Sequence, residues 1–141
     1  MQLVPYLNFD GQCREAFAFY ARALGGKITA QMSYGDAPED MRAQMPPDTL
    51  GRIMHTQLES GAAMLMGADG PPSHGTQAGG TTLNVMVETI EDAERIFAAL
   101  AEGGEVKMAI AETFWAKRWG MLVDRYGKPW MVNCMKDPAA G

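Results

Sequence analysis

Apolar side chains recur at helical spacing twice in this chain, and each run ends in a glycine pair. In 13–26, CREAFAFYARALGG, the side chains of Cys13, Phe17, Tyr20 and Leu24 share one face, while Arg14, Glu15 and Arg22 fall largely off it. Gly25 and Gly26 stop this helix, because glycine enters the left-handed conformation of a C-cap without a Cβ clash. In 92–104, DAERIFAALAEGG, the stripe is Ala93, Ile96, Phe97 and Leu100, and the stop is Gly103-Gly104. Aligning Gly25 with Gly103, an offset of 78 residues, sets Phe19 on Phe97, Ala21 on Ala99, Ala23 on Ala101 and Ile28 on Val106.

Shorter apolar and alternating runs flank both helices and read as strands. The first, 2–9, puts Val4, Tyr6 and Asn8 on one face; Pro5 lacks an amide donor and predicts an edge strand or an irregularity. Asp10-Gly11 leads into the first helix, with Asp10 placed to accept from its free amides. Strands are expected at 27–34, 52–59 and 62–67, the last two joined by a hairpin at Ser60-Gly61. Between them, 35–48 is a polar loop with Pro38, Pro46 and Pro47 and room for one helical turn near 39–43. Its length suits a flap.

The stretch 67–80 holds five glycines and two prolines and reads as a linker. The pattern then restarts with a strand at 81–87. Thr89 is placed as an N-cap, with Glu91 and Asp92 in the first helical turn. Strands follow within 105–109, 114–123 and 130–135, with Asp124 and Gly127 as turn makers before the last. Two βαβββ modules therefore fill the chain: module one about 1–69, a linker about 70–79 and module two about 80–135. The tail, 136–141, has the composition of a frayed end.

Composition narrows the classes of function. Of the 141 residues, 47% are hydrophobic and 21% charged, enough for a core and unlike a disordered chain. A net charge of −5 without a basic stripe argues against nucleic acid and anionic membrane as partners. No apolar run approaches the roughly 20 residues of a membrane span, and the N-terminus has no signal-peptide pattern. Cys13 and Cys134 make no disulfide framework and are read as reduced and cytoplasmic. Cys13 lies on the apolar stripe, which favours burial over nucleophilic use. Twelve methionines suit core filling and adaptable pockets.

The ordered motifs Tyr6-Leu7-Asn8-Phe9-Asp10-Gly11, Glu15-Ala16-Phe17, Phe19-Tyr20, Gly25-Gly26 and Tyr34-Gly35-Asp36 span the first module, with His55 and Leu65-Met66-Gly67-Ala68-Asp69. Glu112-Thr113-Phe114-Trp115, Gly120, Asp124-Arg125-Tyr126-Gly127 and Trp130-Met131-Val132-Asn133 span the second. With the paired modules, they resemble the glyoxalase/bleomycin-resistance/extradiol-dioxygenase superfamily, also called vicinal oxygen chelate, and most closely its PhnB-like subgroup. The resemblance covers nearly the whole chain. It implies a single α+β glyoxalase-like domain whose two curved mixed sheets enclose a cavity, usually in a homodimer.

Metal-using members carry His or Glu at equivalent strand positions of the two modules. Carried over by flanking residues, these positions fall at Pro5, at Leu65 or Met66, at Thr82 or Asn84, and at Met131. None is His, Asp or Glu, and a site for Ni, Zn, Fe or Mn needs converging nitrogen or carboxylate donors. This departure from the family's pattern removes metal from the leading expectation, and no cofactor is expected. Some PhnB-like members carry a 3-demethylubiquinone methyltransferase label, but no strand–glycine loop–helix nucleotide signature supports it here.

Candidate chemistry is sparse. His55 lies mid-strand and would act as a base only with a carboxylate partner, from Asp69, Glu59 or Asp36. His74 sits in the glycine-rich linker. Phe114, Trp115, Trp119 and Trp130 crowd the last quarter of the chain. Met64, Asn84, Phe114, Trp115, Met131 and Asn133 are the expected ligand-binding residues, because such sites pair apolar walls with few polar anchors. Strand alternation sharpens this for the last strand. Matching Met131 to the family's ligand-bearing position turns Met131 and Asn133 toward the cavity, and Trp130 toward the helix. The leading expectation is a cytoplasmic homodimer that binds a small organic molecule. One alternative is a lyase, isomerase or dioxygenase-type enzyme acting through His55 or a metal. Another is a non-catalytic interaction protein.

Overall fold

Two four-stranded mixed sheets carry the fold, and both have the same strand order. The computed structural model describes residues 2–70 and 81–137. In chain order the elements are β1 (Tyr6–Phe9), α1 (Cys13–Leu24), β2 (Lys27–Ser33), α2 (Glu39–Arg42), β3 (Ile53–Ser60) and β4 (Ala63–Asp69). There follow β5 (Leu83–Val87), α3 (Ile90–Ala101), β6 (Glu105–Ala111), β7 (Ala116–Val123) and β8 (Pro129–Met135). The first sheet runs β1-β4-β3-β2 and the second β5-β8-β7-β6. In each, the first strand pairs parallel with the fourth and the others pair antiparallel. The chain divides into two compact units, Met1–Ala78 and Gly79–Gly141. Each unit is one βαβββ module, as the sequence pattern predicts.

Each helix covers one face of its own sheet. In the first unit α1 buries Cys13, Ala16, Phe17, Phe19, Tyr20 and Ala23. These meet Phe9, Thr56, Leu58, Leu65 and Asp69, which are buried on the strands. In the second, α3 packs across β7 and β8 and buries Ala93, Ile96, Phe97 and Leu100. Two strand glycines let the helices sit this close. A Cβ on Gly67 would lie 2.6 Å from the Phe17 ring, and one on Gly120 would lie 2.7 Å from the Phe97 ring.

The repeat is tighter than a single offset describes. From β2 to β6 the starts are 78 residues apart, as the glycine alignment predicts, but from α1 to α3 they are 77 apart. The extra residue lies in the turn after α3, where Glu102, Gly103 and Gly104 stand against Gly25 and Gly26 after α1. The buried positions repeat at 77, so Phe19 corresponds to Ile96 and Tyr20 to Phe97. The 78-residue pairing of Phe19 with Phe97 is therefore corrected by one residue.

Other boundaries move for local reasons. β1 begins only after Pro5, which lacks the amide that would extend the ladder, and β1 is an edge strand as expected. β4 continues through Gly67 to Asp69, so the predicted linker does not start at Gly67. The rest of that stretch, with His74, lies outside the described residues beyond Gly70. The tail is anchored at its start. The Lys136 amide donates to the Trp115 carbonyl at 3.2 Å, and its Nζ lies 3.2 Å from Glu112 Oε2.

Candidate functional site

Since α1 and α3 cover one face of each sheet, the chemistry open to a ligand lies on the other. Strand register orders that open face in the second unit. Met108 of β6 pairs with Met121 of β7, Met121 with Met131 of β8, and Met131 with Asn84 of β5. These four side chains form one row across the sheet. The next row runs from Ala111 through Trp119 and Asn133 to Met86. Cross-strand neighbours lie about 4.8 Å apart, so the rows make a continuous floor of thioethers, one indole and two amides.

The two amides are bonded to each other. Asn133 Nδ2 donates to Asn84 Oδ1 at 2.8 Å, and Asn84 Nδ2 approaches Met86 Sδ at 3.3 Å. Asn84 is exposed, whereas Asn133 is only 5% exposed. Asn133 Oδ1 is buried and has no hydrogen-bond partner among the described residues. The parity expected for β8 is present. Trp130, Val132 and Cys134 are buried in register with the helix face, while Met131 and Asn133 lie on the open one.

Of Phe114, Trp115, Trp119 and Trp130, which crowd the last quarter of the sequence, Trp130 is buried on the helix face of β8, the face opposite to Trp119. Its Nε1 donates to Asp124 Oδ2 at 2.8 Å. Asp124 Oδ1 takes the amides of Tyr126 and Lys128, so Asp124 makes the turn. The remaining three rings form a chain of edge-on contacts. Phe114 and Trp115 have centroids 4.8 Å apart, and Trp115 and Trp119 5.5 Å. Phe114 is 88% exposed and precedes β7, so it stands at the margin of the methionine rows and not among them.

The open face of the first sheet carries Tyr6, Met66, Gln57 and Ala30 in one row, with Met64 opposite Glu59 and His55 opposite Met32 nearby. Met64 is half-buried there, while Leu65 is buried on the helix side. His55 has a partner, but it is a phenol. Tyr6 Oη and His55 Nδ1 are hydrogen-bonded at 3.2 Å, with their rings tilted 30°. Burial first, then the neighbouring ionisable Cys13 and Tyr34, raise the Tyr6 phenol above its ordinary value of 10.0.

Two of the carboxylates considered as partners of His55 are engaged elsewhere. Asp69 Oδ1 accepts from the Gly11 and Cys13 amides at 2.7 and 3.1 Å, and Oδ2 from the Ile53 amide at 2.9 Å. This also corrects the role expected of Asp10, which instead meets Arg52 Nη2 at 2.7 Å. Asp36 caps its own turn by accepting from Ser33, whose amide and hydroxyl lower its pKa. Glu59 shares the face of His55 but stands opposite Met64.

The positions carried over for a metal do not fit one. Pro5 precedes β1 and has no donor side chain. Leu65 is 6% exposed on the helix face. Asn84 and Met131 are register partners, but an amide and a thioether are poor donors for a hard or borderline divalent ion. Among the described residues no three His, Cys, Asp or Glu side chains converge to hold a metal.

A sheet pair of this order, with one open face per module, is the architecture of a known superfamily. Residues 2–138 match the Glyoxalase/Bleomycin resistance protein/Dioxygenase superfamily, and the chain belongs to it. The chain is 36% identical to protein YjdN of Escherichia coli strain K12, over 96% of this chain and 97% of that one. The structure of protein PA1353 from Pseudomonas aeruginosa superposes with a TM-score of 0.86 at 44% identity, covering 97% of this chain and 99% of that one. The PhnB protein from Bacillus cereus shares the fold, with a TM-score of 0.77 at 24% identity over 95% and 99% of the two chains.

Reading the sequence alone missed Tyr6 as the partner of His55, and Met86 and Trp119 as neighbours of Asn133. Alternation places Tyr6 on one face of its strand, but only register across strands brings residues 49 apart together. Met86 lies two residues from Asn84, so strand alternation alone was signal enough to find it.

Proposed function

We propose that this chain binds a small organic molecule on the open face of its second sheet, without a metal at the superfamily's usual positions. The carrying observation is the Asn84–Asn133 amide pair set among Met86, Met121, Met131 and Trp119. Small-molecule sites combine such apolar walls with few polar anchors, and thioethers re-pack around varied shapes. Phe114 and Trp115, at the margin of this face, complete the proposed set on the second sheet, while Met64 belongs to the open face of the first. The test is a small-molecule screen read by methyl and amide NMR. Binders are expected to move Met121, Met131 and the Asn133 side chain first. Binders that move only helix residues would sink the reading.

The Tyr6–His55 hydrogen bond supports a second reading, in which His55 contributes to a reaction on the first sheet. Loss of a reaction in His55→Gln with ligand binding intact would separate it from the first. The protein is further proposed to be a cytoplasmic homodimer. Its two cysteines are buried thiols outside any disulfide, and no helix among the described residues is long and apolar enough to cross a membrane. Edge strands β2 and β6 expose Ile28, Met32, Val106 and Met108, apolar surface that association would cover. Light scattering at tens of micromolar should give twice the 15.3 kDa chain mass. A mass of one chain counts against it.

A further inference from the structure

The amide pair on the second sheet has a direction. A thioether sulfur accepts and cannot donate, so Met86 Sδ faces the amino end of Asn84 at 3.3 Å. Asn84 then turns its Oδ1 toward Asn133, which must answer with Nδ2, at 2.8 Å. Asn133 is left with its Oδ1 buried and without a partner among the described residues. A chain of three side chains, exposed at Met86 and Asn84, thus ends in a buried, unpaired acceptor.

We infer that Asn133 Oδ1 selects ligands that carry an N–H or O–H donor on an apolar or aromatic body, and that Met86 sets this polarity through Asn84. The inference rests on the small-molecule reading above and narrows it to a chemical class. The body of such a ligand lies against Trp119, Met121 and Met131, which share the face. The acceptor is reached when unbranched methionine side chains re-pack, which they do readily. A molecule of the same shape without a donor leaves Oδ1 buried and unpaired, a penalty worth about tenfold in affinity. Met86 is a positioning residue here, since it acts through Asn84.

Matched probes test this on the intact chain: indole against 1-benzofuran, and phenol against fluorobenzene. Within each pair the shape is nearly constant and only one member donates. Wild type is expected to bind the donor of each pair about tenfold more tightly. Asn133→Leu should bind both members alike, and Met86→Leu should narrow the gap between the members of each pair. Circular dichroism checks that the variants fold. Met86 is exposed, so Met86→Leu still decides the matter where Asn133→Leu is destabilised. Equal affinity within both pairs, or a preference that survives in a folded Asn133→Leu, overturns the inference but leaves small-molecule binding standing. Absence of any probe-induced shift at Met121, Met131 and Asn133 overturns both.

Discussion

At the scale of single residues, parity decides what each side chain can do. Tyr6 and His55 meet because both point to the open face of the first sheet, and Tyr6 enters the pair as a phenol. Its pKa is raised, so the folded protein keeps that proton where the unfolded chain begins to lose it. Stability from this group is complete below pH 10.0 and is lost as pH rises through the folded value. In an absorbance titration, the difference between wild type and Tyr6→Phe should be one phenol that ionises above its ordinary range. A protonated phenol donates to a bare Nδ1, so neutral His55 should carry its proton on Nε2, as long-range proton–nitrogen NMR can read. In Tyr6→Phe the two tautomers should mix; an unchanged tautomer in that variant rules the arrangement out. On the helix face the constraint is steric. Gly67→Ala and Gly120→Ala drive a methyl into Phe17 and Phe97, and each should lose about 1–3 kcal/mol in urea unfolding. Wild-type stability in either would mean that both the ring and the neighbouring strand backbone, at Leu7 or at Ile110, can move away.

Between elements, the two modules solve one problem differently. The free amides at the start of α3 are met locally, as Thr89 Oγ1 accepts from the Asp92 amide at 3.1 Å. At α1 the N-cap residue Gln12 makes no such side-chain bond, and Asp69 of β4 supplies the acceptor for the Cys13 amide across 56 residues of chain. Asp69 also holds the Ile53 amide, so one carboxylate ties α1, β3 and β4 together. Thr89→Ala should therefore cost about 1 kcal/mol, the ordinary value of a cap. Asp69→Ala strands three amide donors and should cost at least about 3 kcal/mol. Equal losses would show that Asp69 is only a local cap. This contrast explains what the sequence could reveal. Thr89 followed by acidic residues is a local signal and was legible. Asp69 was not, because nothing within several residues of it marks it as a cap, and Asp10 occupied the place where a local cap is expected. The glycine repeat likewise exposed both modules, yet hid the one-residue difference carried by Glu102. On the open face of β8, alternation put Met131 and Asn133 side by side and the superfamily resemblance chose the face, whereas Trp119 beside Asn133 needed register.

For the whole molecule, membership of the superfamily raises metal-dependent chemistry, and the donor set of this chain speaks against it. Of the carried-over positions, Pro5 offers no donor, Leu65 faces the helix side, and Met66, Asn84 and Met131 offer two thioethers and an amide. Ni and Zn favour imidazole, thiolate and carboxylate, and the neutral groups here supply no charge to offset the ion's desolvation. The consequence is measurable through linkage. An ion that binds only the folded chain, at 100 times its dissociation constant, stabilises it by about 2.7 kcal/mol. Adding Ni or Zn to chelator-treated protein should therefore leave the unfolding midpoint where it was, and glyoxalase I isomerisation, which relies on metal-polarised oxygens, should stay absent. The control variant is Met131→Ala together with Asn84→Ala. A midpoint raised by metal in the wild type and unmoved in that double variant would place an ion at the superfamily position and defeat the prediction. A rise of equal size in both would place the ion elsewhere and leave the prediction for these four positions intact.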